Sequence, residues 1–188
     1  MNYLAPEFGI QPPSDAMSAV SPTETISYAI GECVLGQVLV ARSGAGVCAI
    51  LIGSDASELE GQLVARFPKA MLTVNESIVR QDLVDVIRFA DKPVGGLDLQ
   101  LDLRGTPFQL RVWGALRGIA TGTTMSYSEL ARELGSPTAA RAVAAACAAN
   151  PIALAVPCHR VVSADGSLAG YRWGVERKRE LLKKEALA

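Results

Sequence analysis

Two short helices and the turn between them constrain this chain most. Ser126-Tyr127-Ser128-Glu129 places a serine three residues before a glutamate, the pattern of a capping box that starts a helix. That helix runs through Leu134, and Gly135 stops it. Ser136-Pro137 then caps a second helix, which runs to about Ala149. Helices joined by so tight a Gly-containing turn form a helix-turn-helix. Ahead of them, Thr106-Pro107 opens another helix by N-cap and N1 logic, with Phe108, Val112, Leu116 and Ile119 along one face.

The second helix of the pair carries Ala139, Ala140, Arg141, Ala142, Val143 and then a run of alanines around Cys147. Reading bases in the major groove takes Arg, Asn or Gln on an exposed face. This helix offers methyl groups and one arginine. Small side chains allow the close approach that a narrow minor groove demands. They equally suit a helix packed tightly inside a protein, and the residues alone do not choose between the two.

The first half reads differently. Thr25–Ile30, Cys33–Ala41 and Val47–Ile52 are β-rich runs broken at Gly31-Glu32 and at Ser43-Gly44-Ala45-Gly46, which predicts an antiparallel meander. Leu59, Leu63 and Phe67 follow at helical spacing before Pro68, and Leu83, Val86, Ile87 and Ala90 repeat the pattern within Ser77–Ala90. Leu97, Leu99, Leu101 and Leu103 alternate with polar residues and predict a half-buried strand. Residues 1–24, rich in Pro, Ser and Ala, read as a flexible tail. The expected fold is α/β (α+β) in two parts. A small N-terminal antiparallel sheet with helices fills 25–103. A mainly helical C-terminal domain with the helix-turn-helix fills 104–188.

Chemistry concentrates in Pro157-Cys158-His159-Arg160-Val161-Val162, which holds the single histidine of the chain. A cysteine beside an imidazole and a guanidinium can be a tuned nucleophile, because both neighbours favour the thiolate. The alternative is a buried cysteine closing a core strand after the apolar run Ile152–Val156. On a strand, Cys158 and His159 would point to opposite faces. Cooperation between them needs a turn there, which Pro157 favours, or a relaying water.

Over 188 residues the net charge is only −1, which argues against a uniformly basic nucleic-acid binder. Its distribution is uneven. Residues 1–103 hold six Lys and Arg against thirteen Asp and Glu; residues 104–188 hold twelve against six. An anionic partner for the second half is one reading, and chance imbalance between solvated faces is the other. Cys33, Cys48, Cys147 and Cys158 form no CxxC pair, and one histidine builds no usual zinc cluster. The start has no secretory pattern, and no run is long enough to span a membrane. The expectation is a reduced, soluble, cytoplasmic protein without a metal.

Taken together, the Cys158 hexapeptide, Ser126-Tyr127, Arg141-Ala142-Val143, Asn150-Pro151 and Gly170-Tyr171-Arg172-Trp173-Gly174 resemble the O6-alkylguanine-DNA alkyltransferases. The likeness spans residues 25–188 and is dense from Gly105 onward. The Ala-Cys-Ala-Ala-Asn and Gly-Tyr-Arg-Trp-Gly strings look most like the C-terminal half of the bacterial adaptive-response protein. The zinc-binding regulatory half of that protein is expected to be missing, since no cysteine cluster precedes residue 25.

The resemblance implies a ribonuclease-H-like first part and transfer of an alkyl group from O6-alkylguanine, and from O4-methylthymine, in double-stranded DNA to Cys158. The transfer would be single-turnover and irreversible, by a monomer without cofactor or S-adenosylmethionine. It implies a minor-groove grip by Ala139, Ala140, Arg141, Ala142 and Arg160. Tyr127 and Arg141 would help to turn the nucleotide out, and Tyr127 would protonate the leaving base. His159, held by Glu185, would take the thiol proton, and Asn150 would brace the turn. Cys147, Ala153, Val156, Tyr171, Arg172 and Trp173 would line the base pocket, with Trp173 narrowing its mouth and Ala153 offering no stacking surface to a benzyl group. A non-catalytic lesion binder, a Cys-His hydrolase and a helix-turn-helix regulator are the competing classes.

Overall fold

The structure, a computed structural model, describes residues 24–94, 96–168 and 170–187. The tail expected over 1–24 lies outside them except for Glu24, which begins the first strand. Strands β1 (Glu24–Cys33), β2 (Gly36–Ser43) and β3 (Gly46–Gly53) form the antiparallel meander. Its first turn is not at Gly31-Glu32, because β1 continues to Cys33 and reverses through Val34 and Leu35. The two glycines have different jobs. A Cβ on Gly31 would come 2.8 Å from Ile87 Cδ1, so this glycine lets a helix press against the strand. Gly36 has φ +106°, which a side chain resists, and it makes the turn.

A fourth strand that the sequence did not announce, β4 (Ala70–Val74), pairs parallel with β1 and gives the order β3-β2-β1-β4. Ala70 and Leu72 face the core while Met71 and Val74 face outward, and all four are apolar, so the sequence shows no alternation. Helices α1 (Ala56–Arg66) and α2 (Glu76–Asp91) cover opposite faces of the sheet. The strand period of two divides the core accordingly. Leu39 and Ala41 pack with Leu59 and Leu63 of α1, whereas Val38 and Val40 pack with Val79 and Val86 of α2. Asp55 and Asn75 cap the two helices, accepting from the Glu58 and Ile78 amides at 2.9 and 3.3 Å.

The strand expected over Leu97–Leu103 forms only one bridge, Val47 with Leu101. The reason lies in β3. Its outer edge is shared, with Val47 bonded to Gln100 O and Asp102 N (both 2.8 Å), and Ile50 to Pro151 O and Ala153 N (both 3.0 Å). Two segments distant in sequence thus close one exposed edge.

The second half contains α3 (Pro107–Gly118), β5 (Met125–Ser126), α4 (Tyr127–Glu133), α5 (Ala140–Ala148), β6 (Val161–Val162) and α6 (Val175–Glu185). Thr106–Gln109 and Ser126–Glu129 both form reciprocal capping boxes. Gly135 ends the α4 turn at φ +68°. Ser136-Pro137 does not cap α5. The chain makes one more turn, with the Ala139 amide donating to Ser136 O at 2.8 Å, and the helix starts at Ala140 without a side-chain cap. Trp113 of α3 donates its indole N–H to Ala146 O at 2.9 Å and so fixes the place of α5. One apolar cluster runs from Val40 and Ile50 of the sheet through Val112, Trp113 and Val143 to Cys158. Among the described residues no helix is long and apolar enough to cross a membrane.

Candidate active site

Residues 150–162 are buried without exception. After Ile152 meets Ile50 the chain turns back, with Leu154 in the left-handed region at φ +67° and the Val156 amide donating to Ile152 O at 3.1 Å. For a leucine this conformation costs roughly 1–2 kcal/mol, which surrounding burial must offset. The apolar run is therefore not a strand. Pro157 leads into a single 3-10 turn, Cys158–Arg160, whose steps of about 120° separate the three side chains. Cys158 faces a cavity, while His159 and Arg160 face the C-terminal end of α6.

Asn150 organises the cysteine. Its Nδ2 donates to Val156 O at 2.8 Å and to Cys158 Sγ at 3.3 Å, and its Oδ1 accepts from the Ile152 amide at 2.9 Å. Burial pushes the Cys158 thiol up to about 11, against the opposing pull of Asn150 and the Lys178 ammonium. Proximity of positive charge does not make a resting thiolate here, as the hexapeptide suggested, because desolvation outweighs it. At neutral pH the thiol holds its proton and needs a base.

The imidazole of His159, next in the chain, is the candidate. It is fully buried, with Nε2 2.8 Å from Glu185 Oε1 and Nδ1 without a hydrogen-bond partner among the described residues. Burial lowers its pKa despite the Glu185 carboxylate, so the ring is neutral at pH 7. Burial alone would raise the Glu185 carboxyl, but hydrogen bonds from His159 and Arg160 hold it at about 2. An ionised acceptor at Nε2 places the ring proton there and leaves the Nδ1 lone pair free.

Arg160 was expected against DNA. The structure puts it inside, 6% exposed, with Nε 3.0 Å from Glu185 Oε2, Nη1 2.6 Å from Ile119 O and Nη2 3.0 Å from Thr121 Oγ1. All three of its nitrogens are engaged inside the protein, so this guanidinium braces Glu185 and is not presented to phosphate.

The cavity above Cys158 holds about 400 Å³. Tyr127 of α4, Ala144, Cys147 and Ala148 of α5, and Gly170, Tyr171 and Arg172 of the following loop form its walls. Ala153, Val156 and Trp173 do not line it. Ala153 and Val156 are completely buried, and the Val156 carbonyl already accepts from Asn150 and from the Cys158 amide. Trp173 is 4% exposed and packs edge-on against Tyr171 at 5.1 Å. It supports the pocket wall from behind and does not narrow the mouth. Burial pushes the Tyr127 phenol up to about 12, with Cys147 and Cys158 adding to the effect, so it keeps its proton. Arg141 and Ala142 are exposed on α5, and Ala139 and Ala140 are half-buried.

Sequence reasoning missed Lys178. It is fully buried, and its ammonium donates to Val161 O at 2.6 Å and reaches Gly170 O at 3.5 Å. The signal was available, since Lys178, Leu181 and Glu185 lie at i, i+3 and i+7 on the buried face of α6.

Asn150→Ala is expected to cost about 1–3 kcal/mol, because it orphans the buried Ile152 amide. It should also raise the Cys158 pKa further. Chemical denaturation checks the first effect, and the pH dependence of Cys158 alkylation by iodoacetamide checks the second.

A protonated, hydrogen-bonded cysteine, a buried His–carboxylate pair next to it in the chain and a cavity walled by a helix-turn-helix together form a candidate nucleophilic-cysteine site. Known proteins agree. The sequence profile described as "6-O-methylguanine DNA methyltransferase, DNA binding domain" matches residues 107–187. The bifunctional transcriptional activator/DNA repair enzyme Ada of Escherichia coli K12 is 49% identical over 161 residues, 86% of this chain and 46% of Ada. The inducible methylated-DNA–protein-cysteine methyltransferase of Bacillus subtilis is 41% identical over 123 residues, 65% of this chain and 69% of that protein. The crystal structure of Mycobacterium tuberculosis OGT in complex with DNA superposes with a TM-score of 0.68 at 36% identity, covering 86% of this chain and 93% of that one. This chain belongs to the methylated-DNA–protein-cysteine methyltransferase family. It spans about half the length of the first curated relatives it matches.

Proposed function

We propose that this chain repairs DNA directly, moving the alkyl group of O6-alkylguanine, and of O4-methylthymine, onto Cys158 in one irreversible turnover. The observation that carries this reading is the placement of Cys158. Its Sγ sits at the base of a cavity beside α5, 3.3 Å from the Asn150 amide and adjacent in sequence to a neutral, carboxylate-held imidazole.

The modified base must leave the duplex, since its O6 carbon cannot be reached in the stack. The exposed methyl-rich face of α5 enters the minor groove, and Arg141 fills the gap left by the extruded nucleotide. His159 takes the thiol proton at Nδ1 through one water. Sγ attacks the alkyl carbon in line, forming the S–C bond as the O6–C bond breaks. The electron pair stays on the guanine, and the Tyr127 hydroxyl donates a proton to it. Among the described residues no group lines the cavity that would cleave the product thioether, so in this reading the protein acts once. It does so as a monomer and without a cofactor.

The test is intact mass after incubation with duplex DNA containing O6-methylguanine. The expected result is a gain of one CH2 that saturates at one per chain and maps to Cys158. No gain, or gain at another residue, contradicts the reading.

Arg141→Ala should slow repair in duplex DNA by about tenfold or more while leaving reaction with free modified base almost unchanged, because flipping costs a few kcal/mol and the free base avoids it. Single-turnover rates on both substrates measure this, and equal losses would exclude a flipping role.

A further inference from the structure

The N-terminal sheet has no part in the chemistry described so far, yet it is tied to the pocket by one side chain. Arg177 follows the pocket loop on α6. Its Nη1 donates to Trp173 O at 2.9 Å, its Nε to Leu35 O at 2.7 Å and its Nη2 to Ser54 Oγ at 2.8 Å. Leu35 lies in the β1–β2 turn, and Ser54 immediately follows β3. All three nitrogens of one planar guanidinium are thereby engaged, two of them by the sheet and one by the loop.

The slot is built to hold this group. Gly36 forms its wall, and a Cβ there would approach Arg177 Nη2 to 3.3 Å. The partners of Arg177 among the described residues are two carbonyls and a hydroxyl, with no carboxylate, so direction matters more than charge. A lysine ammonium lacks the fixed fork that points at three acceptors together.

From Trp173 the contact passes to the substrate side. Trp173 packs edge-on against Tyr171 at 5.1 Å, and Tyr171 stands edge-on to His159 at 6.4 Å. Tyr171 is itself a wall of the cavity. The neighbouring Lys178 reaches Gly170 O at the other end of the loop. Adjacent residues of one helix therefore hold both ends of the loop, and Arg177 carries that hold to the sheet.

We propose that Arg177 is a positioning residue that fixes the pocket loop against the N-terminal sheet, setting the distance between the bound base and Cys158. This rests on the alkyl transfer proposed above. It gives the sheet a role in catalysis without any sheet residue touching the substrate. Small errors in the placement of a reacting group cost about a hundredfold in favourable cases.

The experiment is single-turnover methyl transfer by the full chain at saturating O6-methylguanine duplex, with duplex affinity and melting temperature measured alongside. Arg177→Met should lower the maximal rate about ten- to a hundredfold and leave the dissociation constant within about twofold. Arg177→Lys should fall between the two. A merely structural role would lower the folded fraction and leave the rate of the folded protein untouched. An unchanged maximal rate, or a loss confined to affinity or to the folded fraction, overturns the proposal. If Arg177→Met does not fold, Ser54→Ala removes one partner and should slow transfer by about two- to threefold; no slowing there overturns it equally. Failure of the unsubstituted chain to accept a methyl group would instead refute the function on which the proposal rests.

Discussion

Cys158→Ala is expected to abolish methyl uptake while the protein stays folded and keeps its hold on duplex DNA. The substitution removes the acceptor atom, so no residual rate should survive above background. Stability should change by about 1 kcal/mol or less, since a single small group is lost. Asn150 keeps its stronger bond to Val156 O at 2.8 Å and loses only the longer contact to sulfur. In the proposed mode the grip on DNA comes from the exposed face of α5, which the change does not touch. Cys147 is the control. It lines the same cavity, but burial, then the neighbouring Cys158, pushes its thiol up to about 12, and the His159–Glu185 pair is not adjacent to it in the chain. Cys147→Ala should therefore keep most of the activity. Radiolabel transfer from DNA to protein, with electrophoretic binding to the same duplex, measures both quantities. Demethylation by the Cys158→Ala protein would show that the nucleophile lies elsewhere.

Glu185→Gln is expected to be the most destabilising single change at the site, by about 3–5 kcal/mol. The carboxylate is buried and accepts from both His159 and Arg160. Removing its charge strands a guanidinium that is only 6% exposed. The same pair sets how stability depends on pH. The folded carboxyl is held at about 2 against an ordinary 4.5, so the unfolded chain binds more protons in that interval. Stability is present above pH 4.5 and is lost as pH falls towards 2, by on the order of 3 kcal/mol. His159 acts in the same sense from 6.5 downwards, because the unfolded imidazole protonates there while the buried one resists. Denaturation between pH 7 and pH 2 should show a steep acid loss in the parent protein and a shallower one in Glu185→Gln. Parallel profiles would mean that the carboxylate is not ionised in the folded state.

What could be read from the sequence was mostly local. The N-cap at Thr106 and the capping box at Ser126 depend on residues within one turn, and both formed. The helical face of Leu59 and Leu63 needed only its own period. The misplaced first turn is different. Gly31-Glu32 and the Gly36 region look alike in sequence, and only the approach of Ile87 from α2 assigns them. Arg160 was misread for the same reason. The family likeness implied a DNA contact for it, whereas its partners Ile119, Thr121 and Glu185 are remote in the chain. The pocket list failed where backbone direction decides. Ala153 and Val156 neighbour Cys158 in sequence, but the reversal at Leu154 turns them into the interior. The constellation of Cys158, His159, Asn150 and Glu185 was legible through family likeness, and the structure brings these four together.

The bridge between Ile50 and Ile152 has a meaning in time. Its two residues are about a hundred positions apart, and a loop of that size closes late, since its entropy must be given up before the contact returns anything. A ribosome delivers the sheet long before it delivers the cysteine. Ile50 is thus synthesised first, and the segment carrying Asn150 and Cys158 pairs with it afterwards. The segment that leads into Cys158 is made about a hundred residues after the strand it pairs with.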